Sequence, residues 1–304
     1  MSAFTHLAVR SEYSIVDSIV RIKSLVAAAA ADGQTSLGLA DIHNLFAVVK
    51  FYKACIASGI KPLLGTEMVV GEMADGSAYD QNHSVIVYAM DNIGYQALLK
   101  LSSKGYTHGL IDDIPIVTKA DLFASKGLLV ILTERSEIGS ALKGAHPERA
   151  QKLLQEWHTH FGDRLYIGIK RTQRADEHTF THDAIHQAHK LGIPLVAYND
   201  VRFLQAQDFE AHEARVCIAS GYKLNDTTRP RHYSEAQYFK SQEEMANLFA
   251  DLPMVLDNTN AFASRCNVTL TLGINVLPAY PIPEGETTES YFKKLAFDGL
   301  LSLI

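Results

Sequence analysis

Three blocks near the N-terminus place polar side chains at the ends of short apolar strands. The blocks span residues 4–14, 39–45 and 61–67, and a helical pattern follows each of them. Their side chains include the imidazole of His6 and the carboxylates of Asp41 and Glu67, which are groups that bind zinc or manganese. Polar groups at the ends of successive β/α units form the active site of an α/β barrel, so this pattern predicts a site at one end of a sheet.

Strands and helices alternate over the first 200 residues, which predicts an α/β fold of parallel βαβ units, either a barrel or a doubly wound sheet. We predict strands over residues 7–9, 36–39, 61–70, 83–88, 128–132, 165–169 and 195–198. Helices are predicted over residues 19–31, 45–58, 92–105, 147–161, 176–190, 208–221, 241–248, 253–266 and 288–304. Four glycines just past predicted helix ends should adopt positive φ, namely Gly33, Gly59, Gly127 and Gly192.

Composition restricts the class of protein. The 304 residues carry a net charge of -6, so a free-standing nucleic-acid-binding domain, which usually has a basic face, is not expected. Cys55, Cys217 and Cys266 match no zinc spacing and are interpreted as core residues. Without a signal peptide or a long apolar run, we expect a cytoplasmic chain with no membrane contact.

Several further motifs, in order along the chain, resemble the N-terminal polymerase-and-histidinol-phosphatase (PHP) domain of the bacterial DNA polymerase III alpha-subunit family. Together with the three opening blocks they are residues 92–98, 198–203, 211–213, 229–234, 243–245 and 265–268. The resemblance implies a distorted (β/α)7 barrel over residues 1–272. Residues 273–304, with Pro278 and two further prolines, would be a linker and the first, truncated helix of the polymerase palm, part of a larger protein.

The resemblance also implies a function. The full-length protein would be a replicative DNA-directed DNA polymerase that uses Mg²⁺ and contacts DNA through regions outside this chain. Its partners would be the rest of the alpha subunit and the proofreading exonuclease (epsilon) subunit, which docks on the PHP domain. No cofactor and no catalytic residue are expected within this chain itself.

Metal-binding PHP domains hold a trinuclear cluster with about nine ligands, and this sequence keeps only some of them. By resemblance the retained positions are Asp41, Glu67, His83 and Asp200. Arginines stand at two others, Arg10 and Arg202. The remaining positions carry Ala8, Ile42, Gly168 and one of Glu134 or Arg135.

An arginine cannot coordinate a cation, because its guanidinium only donates hydrogen bonds and stays protonated. It can, however, neutralise neighbouring carboxylates. We therefore predict that Arg10 and Arg202 occupy the space of lost metal ions and tie Asp41, Glu67 and Asp200 into a structural network.

The alternative is a residual metal-dependent phosphoesterase or pyrophosphatase. It would use a mononuclear site of Asp41, Glu67 and His83, joined by His6 or His43. Two neighbouring arginines would oppose such an ion electrostatically, and therefore the structural network is preferred.

Two further groups of side chains invite a functional interpretation. Lys170, Arg171 and Arg174 follow a predicted strand end, where a run of charges is most often a solvated loop and where contact with phosphate or a partner is the alternative. Four histidines at helical spacing, His178, His182, His186 and His189, resemble zinc-binding pairs, but the apolar residues of the same helix place them on its solvent face.

Overall fold

The computed structural model describes residues 4–71, 83–174, 177–275, 277 and 279–303. In the part of the chain it describes, no helix combines the length and the apolar character that a membrane span requires. The contacts divide the chain into two units, Met1–Thr269 and Leu270–Ile304. The first unit contains all of the strands and helices that build the candidate site.

The first unit is built on one mixed sheet. In the described residues its strands are β1 (Ser36–Ile42), β2 (Lys61–Gly71), β3 (His83–Ala89), β4 (Leu110–Ile111), β5 (Ile114–Thr118), β6 (Leu128–Leu132), β7 (Leu165–Ile169) and β8 (Leu195–Ala197). The order of hydrogen-bonded neighbours is β1-β2-β3-β6-β7-β8, and the hairpin β4-β5 joins the far end of β2.

The extended N-terminal segment closes this sheet into a barrel. On one side, the amides of Gly38 and Ala40 in β1 donate to the carbonyls of His6 and Val9. On the other side, the Val201 amide donates to Ala8 at 2.8 Å, and the Arg10 amide donates back to Val201 at 3.1 Å. Seven extended segments therefore surround the axis, and the predicted α/β barrel is confirmed.

The helices of the first unit pack outside the barrel or at its ends. They are α1 (Ile22–Ala31), α2 (Val48–Ala57), α3 (Asn92–His108), α4 (Lys119–Ala124), α5 (Glu137–Lys143), α6 (Pro147–Phe161), α7 (Glu177–Leu191), α8 (Phe209–Ser220), α9 (Gln242–Leu248) and α10 (Met254–Ser264). The second unit contains α11 (Thr288–Leu301). The predicted positive φ angles at the four glycines are confirmed. All four histidines of α7 are exposed, as the sequence pattern predicts.

Two expectations about the sheet are wrong. Strand β3 runs antiparallel to both β2 and β6, rather than parallel. Only residues 72–82 separate β2 from β3, which is shorter than a crossover between parallel strands requires. The hairpin of β4 and β5 was not predicted, because its polar turn at Asp112 and Asp113 interrupts a short apolar run.

Alternate residues of the strands fill two separate cores. In β3, Val85 and Val87 face the outer helices, whereas Ile86 and Tyr88 face the barrel interior. At the end of the barrel where β8 begins, α10 inserts Phe262, whose ring packs edge-on against Tyr88. The apolar interior leaves only the opposite end for polar chemistry. We call that end the mouth.

The second unit, Leu270–Ile304, contains α11, whose first turn is capped by the hydroxyl of Thr287. Pro278 of the predicted linker lies outside the described residues. Assignment of residues 1–272 to one domain and of residues 273–304 to a linker and palm helix stays a prediction. The three cysteines are buried free thiols, as expected.

Candidate functional site at the barrel mouth

Charged side chains from five extended segments meet at the mouth. They belong to the N-terminal segment, to β2, and to the residues that follow β6, β7 and β8. Together they form what we call the mouth network: Arg10, Glu67, Glu134, Arg135, Lys170, Asp200 and Arg202.

Glu67 is the carboxylate at the centre of the β2 side of the network. It accepts hydrogen bonds from the guanidinium of Arg10 and from the hydroxyl of Ser84, and Arg135 Nη1 lies 3.4 Å from its Oε1. Burial alone would raise the pKa of Glu67, but the guanidinium groups of Arg10 and Arg135 lower that pKa to about 2. Glu67 is therefore ionised at neutral pH although it is buried.

Asp200 has the most cationic surroundings in the network. Its Oδ1 accepts from Arg202 Nη2 at 2.9 Å, and its Oδ2 accepts from Arg135 Nη2 at 3.2 Å. The Gln237 amide donates to the same Oδ2 at 3.1 Å. Burial opposes ionisation, yet Arg202 and Arg135 hold the pKa of Asp200 well below its usual range.

The backbone of Asp200 lies in the left-handed region, with φ of 50°. Aspartate tolerates this region better than most residues. Here it lets the chain turn after β8 so that Asp200 and Arg202 both reach the mouth. The carboxylate contacts hold the turn in place.

Glu134 forms the third anionic position. Lys170 Nζ lies 2.6 Å from Glu134 Oε1, and the hydroxyl of Tyr198 donates to Oε2. Despite burial, Lys170 lowers the pKa of Glu134. The same ammonium group is 3.9 Å from Asp200 Oδ2, which connects the third carboxylate to the rest of the network.

The network balances three carboxylates with four cations. All of its side chains are buried except that of Arg135, which is 37% exposed and forms the solvent-facing surface. Removing any one cation would leave a buried carboxylate without full compensation, which is costly in a low-dielectric interior. The arrangement therefore holds the five segments together by charge as well as by backbone hydrogen bonds.

Arg202 extends the network toward an outer loop. Its Nη1 lies 3.4 Å from Asp17 Oδ1, and its guanidinium lies over the Tyr233 ring, 5.5 Å from the centroid. The Tyr233 hydroxyl donates to Asp17, and the Ser18 hydroxyl donates to the carbonyl of Arg202 at 2.9 Å. Arg202 thereby fixes the loop after Arg10 against the segment around Tyr233.

Asp41 lies outside the ion-paired network, which corrects the prediction that the arginines tie it to Glu67 and Asp200. Its Oδ1 accepts from the Ser11 amide at 2.6 Å and from the Ser14 hydroxyl at 2.7 Å, and its Oδ2 accepts from the Ser11 hydroxyl. Burial raises the pKa of Asp41, and the serine hydrogen bonds only partly offset this effect. The serines that donate hydrogen bonds to Asp41 directly follow the N-terminal extended segment.

His83 also lies away from the network, although its position was predicted to match a ligand. It is on the face of β3 that packs against the helices, where its Nδ1 is 3.3 Å from Ser140 Oγ. Its neighbour Ser84 faces the mouth instead and donates to Glu67. Successive residues of a strand point to opposite faces of the sheet. An alignment that places the ligand one residue away from its true position in β3 therefore assigns it to the wrong face.

The other two histidines considered for a metal site are separated from each other and from His83. His6 Nε2 bonds to the carbonyl of Lys240 at 2.8 Å, and burial lowers the pKa of His6 to about 4. The amide of His43 donates to the carbonyl of Glu67, and burial lowers the pKa of its imidazole. The alternative mononuclear site of Asp41, Glu67, His83 and one of these histidines is therefore not assembled among the described residues.

The predicted phosphate or partner contacts have different surroundings. Lys170 is buried in the network rather than displayed at the surface. Arg171 pairs with the carboxylate of Asp251, and Arg174 donates to the carbonyl of Arg231 at 3.3 Å. These contacts therefore do not indicate that the three side chains bind phosphate together.

The residues of the mouth do not fit a metal cluster. Among the described residues, no three or more His, Cys, Asp or Glu side chains converge in a way that could hold a metal ion. The surviving carboxylates already accept from guanidinium, ammonium or hydroxyl donors. A Cβ added at Gly168 would lie 2.9 Å from the ring of Tyr198, so the aromatic ring fills the space of the carboxylate expected there.

Several members of the network were not predicted from sequence. Arg135 joins Glu67 to Asp200, and Glu134 pairs with Lys170, yet the sequence indicated only an uncertain ligand position at residues 134–135. Their position in the sequence could have indicated them, because these residues come soon after the end of a buried strand. The contact of Tyr198 with Glu134 could not be predicted, since Tyr198 belongs to an apolar predicted strand.

Comparison with known proteins identifies the relatives of this chain. The PHP domain family matches residues 6–172. DNA polymerase III subunit alpha of Pseudomonas fluorescens is 41% identical over 301 residues, which cover 98% of this chain and 25% of that protein. The subunits of Pseudomonas aeruginosa and of Escherichia coli K12 are 38% and 40% identical, with the same coverage. The chain thus spans about a quarter of the length of these curated relatives.

The contacts of Arg202 predict a large loss of stability when its guanidinium is removed. Arg202→Ala should lower the free energy of unfolding by about 3–5 kcal/mol, because Asp200 stays buried with less compensation. Arg149→Ala, at an exposed arginine of α6, is the matched control and should change it by less than about 0.5 kcal/mol. Urea unfolding measures both, and a loss below about 1 kcal/mol for Arg202→Ala would contradict this role.

The lowered pKa of Glu67 predicts a specific acid sensitivity. A carboxylate whose pKa is lower in the folded state stabilises the fold above its ordinary pKa and loses that contribution as the pH falls. For Glu67 the window extends from its ordinary value of 4.5 down to about 2. The melting temperature should fall more steeply between pH 5 and pH 3 in the wild type than in Glu67→Gln. Glu148→Gln, at an exposed carboxylate of α6, should keep the wild-type slope, and equal slopes in all three proteins would refute the prediction.

Proposed function

Because this chain belongs to the PHP domain family, we propose that it is the PHP region of a bacterial DNA polymerase III alpha subunit and acts as a non-catalytic scaffold. Similarity to alpha subunits over 98% of the chain supports the first part. The mouth network supports the second. The single observation that carries the proposal is that Arg10, Arg135 and Arg202 neutralise Glu67 and Asp200.

Phosphoester hydrolysis by a metal cluster needs carboxylate and imidazole ligands that are free to coordinate cations and activate water. In this chain the acids of the mouth accept from fixed protein cations, and a divalent ion placed beside them would meet the positive charge of three arginines. For the alternative, residual phosphoesterase or pyrophosphatase activity, the described part of the chain contains no comparable supporting contact.

The proposal extends to the whole protein of which this region would be a part. That protein would be a DNA-directed DNA polymerase, with Mg²⁺ as its cofactor and with DNA bound by regions outside this chain. Chromosome replication in bacteria takes place in the cytoplasm, which is the location that the proposal assigns.

We further propose that the scaffold docks the proofreading exonuclease (epsilon) subunit. A PHP region without catalysis cannot itself remove misincorporated nucleotides, so this activity must come from a separate protein. A barrel whose mouth is fixed by ion pairs offers a rigid surface for such a partner, and rigid surfaces lose less entropy on binding.

An activity assay tests the non-catalytic part of the proposal. With Mn²⁺ or Zn²⁺ added, the purified chain should release no more product from bis(p-nitrophenyl) phosphate or from pyrophosphate than the variants Asp41→Ala and Asp200→Ala. Melting curves would confirm that each variant is folded. Metal-dependent turnover that is present in the wild type and lost in both variants would favour the enzyme alternative.

A binding experiment tests the docking part. The wild-type chain, mixed with the purified exonuclease subunit, should form a complex with a Kd in the micromolar range or below, as measured by isothermal titration calorimetry. The positive control is the full-length alpha subunit. Binding by the full-length protein but not by this chain at about 50 µM would place the docking surface elsewhere in the polymerase.

A further inference from the structure

The solvent-facing side of α7 carries four histidines at helical spacing. All four are exposed, and they are His178, His182, His186 and His189. Residues four apart on an α-helix are neighbours, with Cβ atoms about 5–6 Å apart. Two imidazoles at this spacing can bind one metal ion, as they do in the zinc-binding H-E-x-x-H motif. Exposure at this spacing suits either a metal site or a merely solvated face, and the contacts of the side chains distinguish the two.

The helix that carries these histidines is fixed to the barrel. On its opposite face Phe180, Ala184 and Ala188 are buried in the outer core. At its N-terminus the carboxylate of Glu177 accepts a hydrogen bond from the Thr172 amide at 2.7 Å and another from the Thr172 hydroxyl. The histidines therefore project from a fixed backbone, and preorganised ligands lose less entropy when they bind.

His182 has a contact that prepares it for a metal ion. Its side chain is 87% exposed, and its Nδ1 lies 3.1 Å from Oδ1 of Asp183. An ionised carboxylate only accepts hydrogen bonds, so Nδ1 carries the proton and, in the neutral imidazole, Nε2 keeps a free lone pair. Histidines that bind metal ions almost always donate their other ring nitrogen to a carboxylate, a carbonyl or a water in this way. Asp183 thus orients His182 and places a negative charge beside it.

His186 is the second ligand that the helix favours. His178 and His186 both lie four residues from His182, but His178 is in the first turn of α7. The N-terminus is the positive end of the helix dipole, and its field disfavours a cation within the first turn. Lys190, one turn beyond His186, is exposed, so its ammonium group can remain in solvent away from a bound ion.

We propose that His182 and His186 of α7 bind a late transition metal ion, with Asp183 as the positioning residue of His182. In the described part of the chain no three His, Cys, Asp or Glu side chains could hold a metal ion together, so α7 supplies two ligands and solvent water completes the coordination. Imidazole suits Cu²⁺, Ni²⁺ and Zn²⁺, and the Irving–Williams order places Cu²⁺ first and Mn²⁺ last.

The site on α7 lies outside the mouth network and does not depend on the proposed function. Its helix packs in the outer core, whereas the network occupies the end of the barrel. The histidines also remain four residues apart when the chain unfolds, so the ion binds the unfolded chain as well and changes the free energy of unfolding only slightly. The test therefore has to observe coordination directly rather than stability.

Copper itself is the probe, because coordinated nitrogen atoms change the electron paramagnetic resonance spectrum of Cu²⁺. The chelator-treated chain is titrated with Cu²⁺, and the fraction with nitrogen coordination gives the Kd. His182→Gln should raise this Kd by about tenfold or more, since it removes the ligand that both neighbouring turns share. His186→Gln should raise it by about threefold or more, because the ion then moves to the less favourable His178.

Two control variants should change the Kd by less than about twofold. One is His178→Gln. The other replaces both His158 and His160 of α6 by Gln, because residues two apart on a helix do not face each other. Melting curves verify that every variant is folded. An unchanged Kd in His182→Gln, or an equal loss in the α6 variant, overturns the site, and equal effects of His178→Gln and His186→Gln overturn the choice of His186.

The positioning role of Asp183 has its own comparison. Asp183→Ala should raise the Kd for Cu²⁺ by about tenfold, whereas Asp183→Glu, which keeps a carboxylate, should stay within about threefold of the wild type. The spectrum of Asp183→Ala should still show nitrogen coordination at saturating Cu²⁺, because both ligands are present. Equal affinities of the wild type and Asp183→Ala would refute the positioning role, and equal losses in Asp183→Ala and Asp183→Glu would do the same.

Discussion

The structure depends on the neutralisation of Asp200 at the mouth of the barrel. This carboxylate is buried, and an unpaired ion in such a place would cost more free energy than a small domain can lose. Arg202 and Arg135 both donate to it, and Arg10 and Lys170 each place a cationic nitrogen 3.9 Å away. Four cations from four different segments thus converge on one anion, which makes Asp200 the electrostatic centre of the barrel.

Charge balance and barrel closure are consequences of the same contacts. The segment that carries Arg10 and the segment that carries Arg202 are hydrogen-bonded to each other through Val201, and this pairing closes the barrel. The ion pairs therefore lie directly at the closing seam. The mouth is held together here by the protein's own cationic side chains. This is the physical basis for proposing a scaffold that presents surfaces to a partner.

Much of the fold could be predicted from the sequence, because apolar strands, helix caps and glycines at helix ends are local signals. The prediction failed where geometry depends on distant segments. The antiparallel direction of β3 follows from its short connection to β2, and the alternation of side chains along β3 places Ser84 rather than His83 at the mouth. Arg10 and Arg202 form ion pairs with Glu67 and Asp200, and their replacement of metal ions stays a prediction. Asp41 was wrongly joined to them, because the serines that satisfy it looked like ordinary loop residues.

The most direct test of the central claim is the free energy of unfolding as a function of divalent metal concentration. A metal that binds only the folded state stabilises it by RT ln(1 + [M]/Kd), about 2.7 kcal/mol at one hundred times Kd. If protein cations have replaced the metals, chemical unfolding monitored from chelator-treated protein to about 1 mM Mn²⁺ or Zn²⁺ should give one constant value. A free energy that rises with the logarithm of the metal concentration, and that no longer rises in Asp200→Asn, would contradict the account.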